Sequence, residues 1–260
     1  MPDVTWWGHS TCTIDDSGIR VLTDPLFCSR LAHLRRRRGP LPNDRSRDAD
    51  LVVVSHLHAD HLHLGSLAVL PRHVPVAVPS GALRAVPGLR RLRGRELVEV
   101  APGDTVRVGT VVVEVVPAEH DGRRWPGSRL RAPPLGYVVS GAARTYFAGD
   151  TDSSAAVREA VGRCDIALLP VGGWGPTLGP GHLDPARAAG FLAELDAHHA
   201  VPVHFGTMWP VGLDTLRRDR FFRPGTEFAA HAARLRLACA VRELQPGETA
   251  RLDLPDRSPR

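Results

Sequence analysis

The four apolar residues Leu51-Val52-Val53-Val54 run directly into Ser55-His56-Leu57-His58-Ala59-Asp60-His61. A continuous apolar run of this length reads as a strand buried on both faces. Packing does not account for four metal-ligand side chains within six residues of its exit. In extended or tightly turning backbone His56 and His58 face the same way, and the turn brings Asp60 and His61 beside them. Imidazole and carboxylate are the ligands that Zn²⁺ and related divalent ions take in hydrolytic sites. The spacing predicts two adjacent sites, one starting from His56 and His58 and the other from Asp60 and His61.

The rest of the chain is compatible with such an enzyme. A length of 260 residues with 43% hydrophobic content suits one compact α/β domain over residues 1–260. No apolar run is long enough to span a bilayer, and no secretory signal is visible in Met1-Pro2-Asp3-Val4-Thr5-Trp6-Trp7. Cys12, Cys28, Cys164 and Cys239 are far apart and form no CxxC pair. They read as reduced thiols of a cytoplasmic protein. The net charge of +5 comes entirely from arginine, because the chain contains no lysine. Two clusters stand out: Arg35 to Arg38 with Arg45 and Arg47, and Arg123-Arg124 with Arg129 and Arg131. Guanidinium groups bind phosphate in a bidentate fork, so either loop is a candidate receiver of a phosphorylated substrate. The alternative is a solvated arginine-rich loop, preferred for the first cluster. For Arg123 and Arg124 a role at the site mouth is preferred.

Strands and helices are interleaved along the chain. Val4 to Trp7, Thr11 to Ile14 and Arg20 to Thr23 read as strands, and Cys28 to Asp50 as an irregular excursion. Val76 to Val78, Glu96 to Val100, Thr105 to Val108 and Thr110 to Val116 are further strands. So are Tyr137 to Ser140, Thr145 to Ala148, Ile166 to Leu169, Val201 to His204 and Val241 to Leu244. Helices are expected from Gly81, from a cap at Asp152 or Ser153 to Gly162, from Asp184-Pro185 to Ala197, and over Glu227 to Leu237. Ser258-Pro259-Arg260 reads as a frayed tail. A dinuclear site needs more ligands than the first cluster supplies, and each should stand at a strand end. His120, Asp150 and His204 meet that condition.

The HxHxDH motif with these three strand-end residues resembles the metallo-β-lactamase superfamily, over a span from Trp6 to His204. Further matches are Trp6-Trp7-Gly8-His9-Ser10-Thr11, Leu22-Thr23-Asp24-Pro25, Ala148-Gly149-Asp150-Thr151, His182-Leu183-Asp184-Pro185 and His204-Phe205-Gly206-Thr207. They are similar to the branch containing N-acyl-phosphatidylethanolamine-hydrolysing phospholipase D and L-ascorbate-6-phosphate lactonase. The resemblance implies a four-layer αββα sandwich with metals at one edge of the two sheets. It also implies that His56, His58 and His120 hold one ion, that Asp60, His61 and His204 hold the other, and that Asp150 bridges them. Two divalent metal ions, zinc first and manganese or iron as alternatives, are the expected cofactors. Ions about 3.5–4 Å apart can share a water and lower its pKa to about 7, giving a hydroxide nucleophile.

Supporting roles follow. Asp60 is a candidate to orient the nucleophile as well as to ligate. His182, from the resemblance, is a candidate to bind substrate or protonate the leaving group, or else to position the helix after it. Asp24 is either the outer acceptor for a ligating imidazole or a turn residue before Pro25. His9 either donates to substrate or bonds backbone. His63, His198, His199 and His231 read as surface residues outside the ligand set. The expected activity is a hydrolase acting on a small-molecule phosphodiester, lactone or other ester. The alternatives are a nuclease of the tRNA-processing type and a non-catalytic, metal-stabilised binding protein. A nucleic-acid partner is disfavoured because the arginines lie in two loops without interleaved aromatics. A bridging Asp150 speaks against a true β-lactamase. The compact loop Trp174 to Gly181 and the lack of an amphipathic docking helix speak against a bilayer phospholipid. Oligomeric state has no signature here.

Overall fold

The computed structural model describes residues 1–92, 94–175, 177–213, 215 and 217–254; the expected frayed tail at Ser258 to Arg260 lies outside them. Two seven-stranded sheets carry the chain. The first has the order Glu248–Arg251, Asp3–Gly8, Thr11–Asp16, Ile19–Thr23, Leu51–Val53, Val76–Pro79, Leu97–Val100. The second has the order Ala240–Val241, His199–Val203, Ile166–Pro170, Arg144–Phe147, Leu135–Ser140, Val111–Pro117, Thr105–Val108. Each sheet is antiparallel along one side and parallel along the other.

Local sequence explains that division. Ser17 and Gly18 have φ of 55° and 77°, the pair of positive values that a two-residue hairpin turn demands. The parallel neighbours are instead joined through helices. Leu64–Ala68 and Ala82–Ala85 lie in the crossovers of the first sheet, and Ala155–Val161 and Pro185–Leu195 in those of the second.

Strand Leu51–Val53 shows why the layers stack as they do. Leu51 and Val53 pack between the sheets with Trp6, Val113, Tyr137 and Phe147. Val52 and Val54 face the other way, into a cluster with Leu67, Leu70, Ala82 and Leu89. Alternate residues thus feed two separate cores, as period-2 geometry requires. On the outer side of the second sheet, Phe191 and Phe228 belong to helices Pro185–Leu195 and Pro224–Arg234. The architecture is the αββα sandwich. Among the described residues no helix is long and apolar enough to cross a membrane.

Several expected elements differ. The segment from Cys28 to Asp50 is not wholly irregular: Arg30–Leu31 pairs with Leu34–Arg36, which pairs in turn with Met208–Pro210, in a small third sheet. The pairing is between residues far apart in sequence, so no local pattern announces it. Arg36 donates to the carbonyls of Leu26 at 2.8 Å and of Trp7 and Cys28 at 3.3 Å. Arg38 donates to Gln245 Oε1 and stacks over the Trp6 and Phe205 rings. These two arginines are structural clamps rather than solvated side chains. Ser154, not Asp152 or Ser153, caps helix Ala155–Val161. The expected strand at Val241 to Leu244 is the shorter Ala240–Val241, and Glu248–Arg251 adds an edge strand beside Asp3–Gly8. His199 is not a surface residue: it opens strand His199–Val203, is buried, and its Nε2 bonds the Asp253 carbonyl at 2.8 Å.

Candidate metal centre

Four strands from both sheets end on one edge of the sandwich, where open α/β sheets present their loops to ligands. Leu51–Val53 delivers His56 to His61, Val111–Pro117 delivers His120, Arg144–Phe147 delivers Asp150, and His199–Val203 delivers His204. Bringing them together needs unusual backbone. Gly149 has φ of 62°, and a Cβ there would lie 2.5 Å from Ser55 Cβ. Glycine alone permits Asp150 to approach the motif so closely. His9, Asp24 and His204 have φ of 54°, 37° and 60°, values that non-glycine residues adopt at a cost and that cluster at functional sites.

The side chains converge in two overlapping groups. In the first, His58 Nδ1 lies 2.9 Å from His56 Nε2 and 3.2 Å from His120 Nε2. In the second, His61 Nε2 lies 3.2 Å from His204 Nε2. Asp60 Oδ2 stands 3.7 Å from His61 Nε2 and 4.0 Å from His204 Nε2. Asp150 Oδ2 sits between the groups, 3.2 Å from His204, 3.3 Å from His61, 3.5 Å from His182 and 4.0 Å from His120. Its other oxygen, Oδ1, is buried with no hydrogen-bond partner among the described residues.

The outer edges of the rings fix where their protons are. His120 Nδ1 donates to the Gly181 carbonyl at 2.8 Å, and His204 Nδ1 to the Gly172 carbonyl at 2.9 Å. His61 Nδ1 donates to Asp24 Oδ2 at 2.7 Å. Ser55 Oγ donates to Asp24 Oδ2 at 2.6 Å and so accepts from His56 Nδ1 at 3.0 Å. Carbonyl and carboxylate oxygens accept only, so in the neutral, metal-binding form of each ring the inward Nε2 is a bare lone pair. Lone pairs facing one another beside an orphaned carboxylate oxygen repel unless a cation lies among them. The donor set of imidazole nitrogen and carboxylate oxygen therefore fits a divalent metal.

Electrostatics follow burial and charge. Burial pushes His58 down to about 4 and His204 to about 3, and holds His56 well below its ordinary value. At His61 burial acts the same way but is outweighed by the carboxylates of Asp150, Asp60 and Asp24, so that ring is raised. Burial would raise Asp60 and Asp150, yet the surrounding imidazoles hold both well below the usual carboxylate range.

The supporting residues divide. Asp24 is wholly buried, binds Ser55 N at 2.7 Å and stands behind His61. The His9 ring reaches a carboxylate rather than backbone through Nε2, which bonds Asp60 Oδ2 at 2.9 Å, within the second group. His182 lines the cavity above the cluster, with Nδ1 3.2 Å from the Gly179 carbonyl. Arg124 does not face that cavity. Its guanidinium donates to the Leu57 and Leu62 carbonyls and clamps the motif loop from behind. Arg123 pairs with Asp121 and does not line that cavity. His63 caps helix Leu64–Ala68. Sequence reasoning missed Ser55, Thr207, whose Oγ1 accepts the His9 N–H at 2.9 Å, and Gly181. A Cβ on Gly181, at φ 75°, would press within 3.2 Å of His120. Serine beside the first histidine and glycine before His182 were visible, but their contacts come from distant loops.

The comparisons with known proteins agree with this fold. A family model described as the beta-lactamase superfamily domain matches residues 19–205. A UPF0173 metal-dependent hydrolase of Halobacterium salinarum is 30% identical over 235 residues, covering 84% of this chain and 89% of its own. N-acyl-phosphatidylethanolamine-hydrolyzing phospholipase D 1 of Caenorhabditis elegans is 28% identical over 80% of this chain. The chain spans 64% of that phospholipase's length, and 58% of an uncharacterized Mycobacterium tuberculosis protein to which it is 31% identical. Igni18, a metallo hydrolase from Ignicoccus hospitalis, superposes with a TM-score of 0.69 at 19% identity, over 98% of this chain and 99% of its own. Motif, strand-end histidines and aspartate, sandwich and family model all lead to one assignment: the chain belongs to the metallo-β-lactamase superfamily.

Proposed function

We propose that this protein is a metal-dependent hydrolase that holds two divalent ions, zinc in the first instance, and cleaves a small phosphodiester, lactone or other ester. The observation that carries the reading is the convergence of five imidazole nitrogens, in two groups, around the single carboxylate of Asp150. His56, His58 and His120 would hold one ion, Asp60, His61 and His204 the other, and Asp150 both. Ions bound there supply Lewis-acid polarisation of the substrate and a water acidic enough to act as nucleophile near neutral pH.

The chain's own residues have definable tasks. His9 fixes Asp60 through Oδ2, which leaves the second carboxylate oxygen to accept a hydrogen bond from the attacking water and aim it. His182, one-fifth exposed above Asp150, is placed to give a proton to the departing oxygen. The cavity they line has a volume of about 200 Å³, below the roughly 300–1,000 Å³ of sites that take drug-sized ligands, so the substrate is small. The four cysteines are free, which supports a reducing, cytoplasmic setting. The test is a panel of nitrophenyl esters, bis-nitrophenyl phosphate and lactones, run with metal-replete and chelator-treated protein. Turnover of at least one class, lost with chelator and restored by metal, is expected. Stoichiometric metal without turnover of any of them would contradict the reading.

A further inference from the structure

The wall of the same cavity is chemically unlike its floor. The loop after strand Ile166–Pro170 brings Trp174 and Leu178 to the opening, each 38% exposed. Large apolar side chains half-open to water at a polar cleft have no packing role that accounts for both. Trp174 is held in place: its ring meets His33 edge-on, with centroids 5.1 Å apart at 76°. His33 comes from the turn between Arg30–Leu31 and Leu34–Arg36, so the small third sheet buttresses the indole. Leu178 lies against Gly173, where a Cβ would come within 3.0 Å of its Cδ2. Glycine thus makes room for leucine to face the opening. Equally informative is the charge of the lining. The chain has no lysine, and among the described residues lining the cavity there is no arginine. A phosphorylated substrate would bring its charge to a wall without a guanidinium to receive it.

We infer that Trp174 and Leu178 form a specificity wall for a hydrocarbon group next to the scissile bond, and that the substrate is a small apolar ester or lactone rather than a phosphorylated one. This rests on the hydrolase reading above and narrows it. An indole and an isobutyl group remove alkyl surface from water at roughly 0.8 kcal/mol per buried methylene, about a fourfold gain in affinity each.

The test uses straight-chain hydroxamates from acetohydroxamate to octanohydroxamate, whose metal-binding head is constant, titrated into metal-replete protein by calorimetry. Affinity is expected to rise about two- to fourfold per added methylene over the first few. Trp174→Ala and Leu178→Ala should flatten that rise while leaving acetohydroxamate affinity and metal content unchanged, and Trp174→Phe should restore most of it. Equal affinity along the series, a rise that survives both alanine variants, or glycerol phosphate binding more tightly than octanohydroxamate would each overturn the inference. Those outcomes all occur in a protein that carries its metal. A protein that takes up no metal refutes the hydrolase reading itself, and the wall's role falls with it.

Discussion

The two halves of the cluster share Asp150 but differ in charge and burial. His56, His58 and His120 are imidazoles alone, and of these His58 is half-buried while the His120 ring is closed to solvent. The other half, His9, Asp60, His61 and His204, is buried throughout, contains the Asp60 carboxylate, and has Asp24 behind His61. A cation in the second half meets two nearby carboxylates and a fixed ring orientation; one in the first half meets neutral ligands and the shared Asp150. Coulomb attraction in a poorly screened interior favours the second half. The lesson is that a symmetric-looking motif, two ligands for each ion, is embedded asymmetrically, so the ions should be lost in order.

The largest expected effect breaks that symmetry outright. His61→Ala should remove the tightly held ion and abolish turnover, whereas His58→Ala should leave about one equivalent bound and also abolish turnover. Metal analysis after dialysis against a weak chelator distinguishes them; equal losses would show that the halves are equivalent.

A smaller change comes from Asp24→Asn, which weakens the outer acceptor for His61 Nδ1 while sparing every ligand. Outer partners of metal-bound histidines are worth about 10–100-fold in affinity or activity. A loss of that size is expected for the second-half ion only, read from competitive chelator titration. Loss from both halves would contradict the separation.

The smallest effect is the pH dependence of the metal-free protein. In the first half His56, His58 and His120 are all depressed, chiefly by burial, with His58 at about 4. The unfolded chain takes up protons from about pH 6.5 downward, which these native rings refuse. Their contribution to stability is therefore complete above pH 6.5 and is lost as pH falls toward 4. In the second half His204, at about 3, acts in the same sense. His61, raised by Asp150, Asp60 and Asp24 against its burial, acts oppositely: its contribution is present at low pH and is lost as pH rises through its folded value. Urea unfolding of chelator-treated protein should show a slope between pH 6.5 and 4 that His58→Asn reduces, and a fall in stability above pH 6.5 that His61→Asn removes.

Much of this asymmetry lies beyond the reach of sequence patterns. The candidate ligands that converge were legible because each follows a short apolar strand at the same edge, and a strand end is a local property: Val54 before Ser55-His56, Phe147 before Gly149-Asp150, Val203 before His204. The sandwich was legible for the same reason, from alternation and turn chemistry. What surrounds the ligands was not. Asp24 reads equally as an outer acceptor or as a turn residue before Pro25, and only its bonds to Ser55 and His61 decide between them. Arg124 lies in a loop suited to substrate and instead ties down Leu57 and Leu62. The sheet that buttresses Trp174 pairs Leu34–Arg36 with Met208–Pro210. Each of these depends on contacts between segments far apart in the chain, which no window of sequence contains.

The central claim is that Asp150 serves two cations at once. It does not act as a helix cap: Ser154 caps the helix that follows, accepting from Val157 N, and Asp150 Oδ1 makes no hydrogen bond among the described residues. Asparagine keeps the shape and removes the charge that offsets repulsion between neighbouring ions. Metal content by mass spectrometry, measured on wild type and Asp150→Asn alongside their turnover and unfolding stability, tests this directly. The account expects two equivalents in the wild type, at most one in the variant, and a loss of turnover far larger than any loss of stability explains. Two equivalents in Asp150→Asn with unchanged kinetics would contradict it.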